Sequence, residues 1–228
     1  MTEKFYKDLI NSIYKKNGIF LKSGSKKFSY KQLRESLEVF LWKFSHIERQ
    51  PIVTVADKSL EMYAAIFAII LTNNIWVPLS PKMGTKRLNN IIDRVKPKYI
   101  ITDPASSLNF ENPRVCLLSD VIVLNKKISK TKKTRANTLK KVYIPDDTAM
   151  IYFTSGSTGQ PKGVLISHQS YIANVKDMLR LIDYGKTKVF SDIHDTSFVI
   201  SIPVIFPCVI QGGTISIPNN QVEAFFPL

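Results

Sequence analysis

Apolar residues recur every three or four positions in several stretches of the chain, and short, nearly uniform apolar runs lie between those stretches. In "SYKQLRESLEVFLWKF" the spacing puts Leu33, Leu37, Phe40, Leu41 and Phe44 on one helical face. Ser29 opens the stretch and Gln32 stands three residues on, the pattern of a capping box. There follow a buried strand over "PIVTVAD", a helix over "SLEMYAAIFAIILTNN" that ends in asparagines, and a strand over "IWVPLS". A helix over "TKRLNNIIDRV", burying Leu88, Ile91, Ile92 and Val95, and a strand over "KYIITD" continue the rhythm. This alternation predicts an α/β fold of mostly parallel sheets flanked by helices, with binding sites at the carboxyl ends of strands. Aromatic and methionine side chains at helical spacing, such as Phe40, Trp42, Met62 and Phe67, read as packing residues.

The rhythm breaks between residues 105 and 145, where a short strand region over "VCLLSDVIVL" precedes a basic stretch at 125–141. That stretch, "NKKISKTKKTRANTLKK", has no acid and no periodicity, and reads as a loop. It holds much of the net charge of +14. No interleaved aromatics or recognisable nucleic-acid module accompany it, so a solvated connector is the preferred reading and no nucleic-acid partner is expected. Regular patterning resumes at "AMIYFTS". A strand over "VLISH", a helix over "SYIANVKDMLRLI", a strand over "KVFSD", a hydrophobic segment at 198–210 and a strand over "TISIP" after Gly212 and Gly213 complete the chain. The break divides it into a first α/β unit, 1–145, and a second unit, 146–228.

With 228 residues, 44% of them hydrophobic, the chain can bury a sizeable core. Cys116 and Cys208 stand apart with no CxxC or Cys/His spacing, which suggests neither a disulfide framework nor a zinc site and fits a reducing, cytoplasmic setting. The first residues, "MTEKFYKDLI", lack an apolar signal core, and the runs "AAIFAIIL" and "FVISIPVIFPCVI" are too short to span a bilayer. No membrane span and no metal site are expected.

The richest chemistry lies at 151–168, "IYFTSGSTGQPKGVLISH". Gly156, Gly159 and Gly163 let backbone N–H groups turn inward, Thr154, Ser155, Ser157 and Thr158 add hydroxyl donors, and Lys162 adds positive charge. A polyphosphate needs these groups, because its oxygens accept many hydrogen bonds in a small volume. The stretch is not a Walker A loop, since Pro161 precedes Lys162 and a strand pattern follows. Composition alone leaves a Ser/Gly-rich surface turn as the competing reading.

The order of residues favours the first. "YFTSGSTGQPKGV" resembles the phosphate-loop signature of the adenylate-forming superfamily, which comprises acyl-CoA synthetases, luciferases and peptide-synthetase adenylation domains. "FSYKQL" at 28–33 resembles that family's first helix start, and "NNIWVPLSPKMGTKRL" at 73–88 is similar to its "AGAAYVPLDPxxPxxRL" region. "HDTSFVISIPVIFPCVIQGGT" at 194–214 is similar to "FDxSxxxxxxxLxxGG", which lines the acyl or amino-acid pocket. Four motifs in family order cover essentially the whole chain.

The resemblance implies the amino-terminal subdomains of the adenylate-forming fold and a ligase that joins a carboxylic or amino acid to the α-phosphorus of ATP, assisted by Mg²⁺. The acyl group then passes to coenzyme A or a carrier protein. It implies phosphate contacts from Thr154, Ser155, Ser157, Thr158 and Lys162, conformational roles for Gly156, Gly159 and Gly163, and a substrate pocket that includes His194, Phe198, Val199 and Ser201. His194 is read equally as a gate between the ATP and acyl sites and as a hydrogen-bonded strand end, and His168 as structural.

Nothing in these 228 residues matches the family's later "YGxTE", "TGD" and catalytic-lysine segments. No catalytic residue is therefore assigned, and the chain is expected to be a truncated amino-terminal portion that does not catalyse adenylation alone. A separate C-terminal polypeptide is an implied partner. The alternative is a noncatalytic remnant or nucleotide-binding module. Aligning "SFVIS" with "FDxS" puts Val199 where amino-acid-activating members have an aspartate, which favours an aryl, hydroxy or fatty acid, with Asp195 as a substitute for that aspartate.

Overall fold

A computed structural model describes residues 2–103, 115–118, 141–155, 160–184 and 188–218, with the side chains of 115–117 excepted. The basic stretch at 125–140 and the segment 219–228 lie outside the described residues. The capping box forms as the spacing predicts. Gln32 N donates to Ser29 Oγ at 3.3 Å and Ser29 N to Gln32 Oε1 at 2.8 Å. These two bonds satisfy donors that a helix start otherwise leaves orphaned, and they open α2 (Tyr30–Phe44). Its five predicted core residues are fully buried, whereas Trp42 is 51% exposed. The packing role read for Trp42 is thus corrected: it lies off the apolar stripe, on the solvent face.

Strand β3 (Pro51–Val55) leads to α3 (Leu60–Leu71), which Ser59 caps by accepting from Met62 N at 3.1 Å. Every residue of α3 but Glu61 is buried, as befits a helix packed between α2 and the sheet. The asparagines end it. Asn73 takes a left-handed φ of 59°, and the Asn74 amide donates to Ile47 O and Thr72 Oγ1. Next come β4 (Ile75–Pro78), α4 (Thr85–Val95), β5 (Tyr99–Thr102), β6 (Val115–Leu117), β7 (Thr148–Thr154), β8 (Lys162–Ser167), α5 (His168–Leu181) and β9 (Val189–Ser191). A 3-10 turn (Val199–Ser201), α6 (Ile202–Gln211) and β10 (Thr214–Ile217) follow. Before them all run α1 (Thr2–Lys15), β1 (Ile19–Ser23) and β2 (Lys26–Ser29), none of which the periodicity argument placed.

Two sheets result. The larger has the order β6-β5-β3-β4-β7-β8, parallel except for the β7–β8 pair, and the smaller has the order β2-β1-β10-β9, parallel except for β1–β2. The alternation of β-strand side chains decides what covers the larger sheet. Ile52 and Trp76 face a core with α2 and α3, while Val53, Val55, Val77 and Ile100 face Leu88, Ile91 and Ile92 of α4. Both sheets take strands from either side of residue 145.

The apolar segment at 198–210 is mostly helical. Pro203 sits in the first turn of α6, where a missing N–H costs nothing, and Gly212 closes the helix at φ 65°. Gly213 is required for space: a Cβ there would stand 2.5 Å from Lys188 O and 2.7 Å from the Phe190 ring. Its carbonyl accepts from Tyr30 Oη at 2.8 Å, tying the start of α2 to the smaller sheet.

Candidate active site

The carboxyl ends of β4 and β7 lie side by side in the larger sheet, where an open parallel arrangement leaves a crevice. A cleft of about 590 Å³ occupies this position. Strand β4 brings Pro78, Leu79 and Ser80 to it, and β7 brings Tyr152, Phe153, Thr154 and Ser155. Lys82 and Arg87, from the turn before α4 and its first turns, add positive charge, and Phe198 and Val199 form the opposite wall with Ser197.

That wall is pinned at two points. Asp192, at the end of β9, pairs with Lys58 at 3.0 Å and accepts from Tyr63 Oη at 2.6 Å. Three residues later Asp195 accepts from Ser80 Oγ at 2.6 Å and from Ser197 N at 2.9 Å. The segment therefore bridges the smaller sheet to the end of β4. Partial burial pushes the Asp195 carboxyl up, but hydrogen bonds from Ser80 and Ser197 and the nearby Lys58 charge outweigh it, so the group lies below the ordinary carboxylate range. It is ionised at neutral pH.

Of the residues singled out in the sequence, the structure brings Thr154, Ser155, Phe198 and Val199 together around the cleft. Thr154 pairs with Lys162 and Phe153 with Gly163 in the antiparallel β7–β8 ladder, which places Lys162 beside the cleft's β7 wall. A Cβ on Gly163 would come within 3.2 Å of the Ile151 side chain and 3.3 Å of the Phe153 ring. Gly156, Ser157, Thr158 and Gly159 lie outside the described residues. His194 is exposed and does not line the cleft, and Ser201 is buried behind it, 3.4 Å from Tyr152 Oη. Val199 lines the cleft and is 54% exposed. Asp195 does not line it, but accepts hydrogen bonds from two residues that do, Ser80 and Ser197.

Sequence reasoning did not single out Ser80, Lys82 or Arg87, although the quoted segment 73–88 contains them. The rule that ligands sit at the carboxyl ends of parallel strands would have marked Ser80. Among the described residues no three His, Cys, Asp or Glu side chains converge. His168 is buried; Tyr171 Oη donates to Tyr6 Oη at 2.5 Å, and Tyr6 Oη in turn contacts His168 Nδ1. It supports α5 away from the cleft. No helix among the described residues is long and apolar enough to cross a membrane.

The family model for AMP-binding enzymes matches residues 14–227. The chain belongs to that family. This AMP-binding chain is 33% identical over 168 residues to a nonribosomal peptide synthetase of Gibberella zeae, a match that covers 72% of the chain and 2% of the synthetase. It is 28% identical over 197 residues to the D-alanine–D-alanyl carrier protein ligase of Staphylococcus epidermidis, covering 85% of the chain and 38% of the ligase. Among solved structures, the complex of VinN with 3-methylaspartate superposes with a TM-score of 0.79 at 16% identity, covering 96% of this chain and 63% of VinN. The AMP-binding chain thus shares the fold of part of VinN and spans well under half of the curated relatives' length.

Proposed function

We propose that the cleft is the carboxylate side of an acyl-adenylate-forming site, and that Lys162 with the hydroxyls of residues 154–158 holds the triphosphate of Mg·ATP. In the complete reaction a substrate carboxylate oxygen bonds to the α-phosphorus as the bond to the bridging oxygen breaks. Pyrophosphate leaves, and the acyl group of the adenylate later passes to a thiol of coenzyme A or a carrier protein. The reacting groups are all anionic, so lysine and oriented N–H donors supply most of what the protein adds. Lys82 and Arg87 on the neighbouring wall act in the same sense. Mg²⁺ enters only as the counter-ion of ATP.

The observation that carries the reading toward an amino acid is the ionised Asp195 carboxylate, held directly behind the cleft by hydrogen bonds from the lining residues Ser80 and Ser197. An α-ammonium placed there gains a charge partner, and the relatives named for peptide synthesis and for D-alanine support the same substrate class. Calorimetry tests the phosphate half. The chain is expected to bind Mg·ATP weakly and Lys162→Ala to bind it several-fold more weakly; equal affinity in both, or none in a folded sample, points instead to a noncatalytic relative. Thermal shifts with a panel of amino, aryl and fatty acids test the substrate half, with Asp195→Asn expected to abolish any shift from amino acids alone.

A further inference from the structure

We propose that Arg94 is a positioning residue for Lys162, acting through the carbonyl of Pro161. The inference rests on the phosphate role of Lys162 given above. Arg94 Nη1 donates to Pro161 O at 2.6 Å. Pro161 is buried while Lys162 is exposed, so that carbonyl is where the chain leaves the phosphate loop and enters β8. A buried carbonyl needs a donor, and a guanidinium gives it a charge-assisted one. The peptide plane that Arg94 holds also carries the Lys162 nitrogen. The other side of Lys162 is set by its pairing with Thr154 across the ladder. Between them, the two restraints fix the base of a long, flexible side chain.

Helix α4 is built for this task. One stripe, Leu88, Ile91 and Ile92, is buried against Val53, Val55, Val77 and Ile100 and locks the helix to the sheet. Arg87, Asn90 and Arg94 follow at i, i+3 and i+7 and so share a neighbouring strip. The first two line a second cleft, about 500 Å³, with Gln160 and Pro161. The helix therefore lies along the outgoing end of the loop, and Arg94 is where it takes hold. Placement matters because a lysine ammonium offsets phosphate charge only when its backbone is held in register with the other donors.

Four variants of the full chain test this: Arg94→Gln, Arg94→Lys, Lys96→Asn and Lys162→Ala. Amide hydrogen exchange across residues 160–166 and Mg·ATP affinity are measured for each. Arg94→Gln is expected to speed exchange in that segment several-fold and to weaken Mg·ATP by about three- to tenfold, the scale of one charge-assisted hydrogen bond. Its melting temperature should fall by only a few degrees, the scale of one lost hydrogen bond. Arg94→Lys recovers part of both effects, because a donor remains. Lys96→Asn removes a charge two residues away, keeps a residue that tolerates the left-handed φ of 49°, and leaves the exchange unchanged. Parental exchange in Arg94→Gln, or an affinity loss equal to that of Lys96→Asn, overturns the proposal. Mg·ATP binding indifferent to Lys162→Ala overturns the phosphate reading instead, and with it any role of Arg94 toward phosphate. The exchange measurement still decides whether the tether exists, so the two failures are separable.

Discussion

Lys58 Nζ lies 3.0 Å from Oδ1 of Asp192, a residue only 1% exposed, and donates to the same residue's carbonyl at 2.6 Å. Tyr63 Oη takes the other carboxylate oxygen, at 2.6 Å. The pair joins the end of β9 to the start of α3 and so sets where the cleft wall begins. A buried carboxylate stripped of its cation is costly, because the charge stays while its compensation goes. Lys58→Met is expected to lower unfolding stability by about 3–5 kcal/mol. Tyr63→Phe, which deletes one hydrogen bond and leaves the ion pair, is expected to cost about 1–3 kcal/mol. Urea denaturation of both variants checks the ranking, and a Lys58→Met loss smaller than that of Tyr63→Phe contradicts it.

Stability should fall in acid partly through His168. Burial lowers its pKa from 6.5 to about 4, with the Asp147 charge opposing and the Arg49 charge adding to the effect. The hydroxyl chain agrees. Tyr171 donates to Tyr6, whose own proton is then free to point at His168 Nδ1 in the neutral tautomer that carries its proton on Nε2. Above about pH 6.5 the ring is neutral in folded and unfolded chains alike, so the penalty is absent. Below that the unfolded chain binds a proton that the folded chain refuses until about pH 4. Stability therefore drops across this window, by about 3 kcal/mol in all, and levels off beneath it as far as this group is concerned. His168→Gln is expected to be less stable at pH 8 yet to lose less on acidification than the parent. Denaturation at pH 8, 6 and 4.5 measures the difference in slope, and parallel profiles would falsify the assignment.

Substitution of the adjacent glycines should separate two kinds of cost. Gly213→Ala drives a Cβ into backbone at Lys188 O and into the Phe190 ring, neither of which yields easily, and is expected to cost about 1–3 kcal/mol or more. Gly212→Ala meets only the flexible Lys16 side chain, so its penalty is mainly that of the left-handed backbone, about 1 kcal/mol. Thermal melts of the two variants should rank in that order.

These residues also mark what could be read in advance. Helices α2, α3 and α4 were legible because each carries an uninterrupted apolar period with a recognisable start or stop, such as Ser29 with Gln32 or the closing Asn73 and Asn74. Helix α1 has the same period in Phe5, Tyr6, Leu9, Ile10 and Ile13, but besides α2 it is buried against α5 and α6, which come far later in the chain. Strands β1 and β2 are short and lysine-bearing, and only the pairing of β1 with the distant β10 places them in a sheet. The phosphate-loop residues were legible as a run of types in order, which is a local property. The hydrogen bond from Ser80 to Asp195 joins residues that share no period or motif, so the wall of the cleft could be seen only once the fold had brought them together.

The smaller sheet has an implication for how the molecule is made. Its centre is the pair β1 and β10, with Leu21 opposite Ile215, and Thr214 Oγ1 donating to Ile19 O at 2.7 Å. The hairpin of β1 and β2 has no second neighbour until Thr214–Ile217, far later in the sequence, follows. The larger sheet can close progressively as β3, β4 and β5 appear, whereas the smaller must wait for the long loop between Leu21 and Ile215 to shut, with the entropic delay that such distant pairing brings. During synthesis the edge of β1 that Leu21 and its neighbours offer to β10 therefore stays unpaired for longer than the strands of the larger sheet, and this is where a chaperone or a misplaced strand would find its opening.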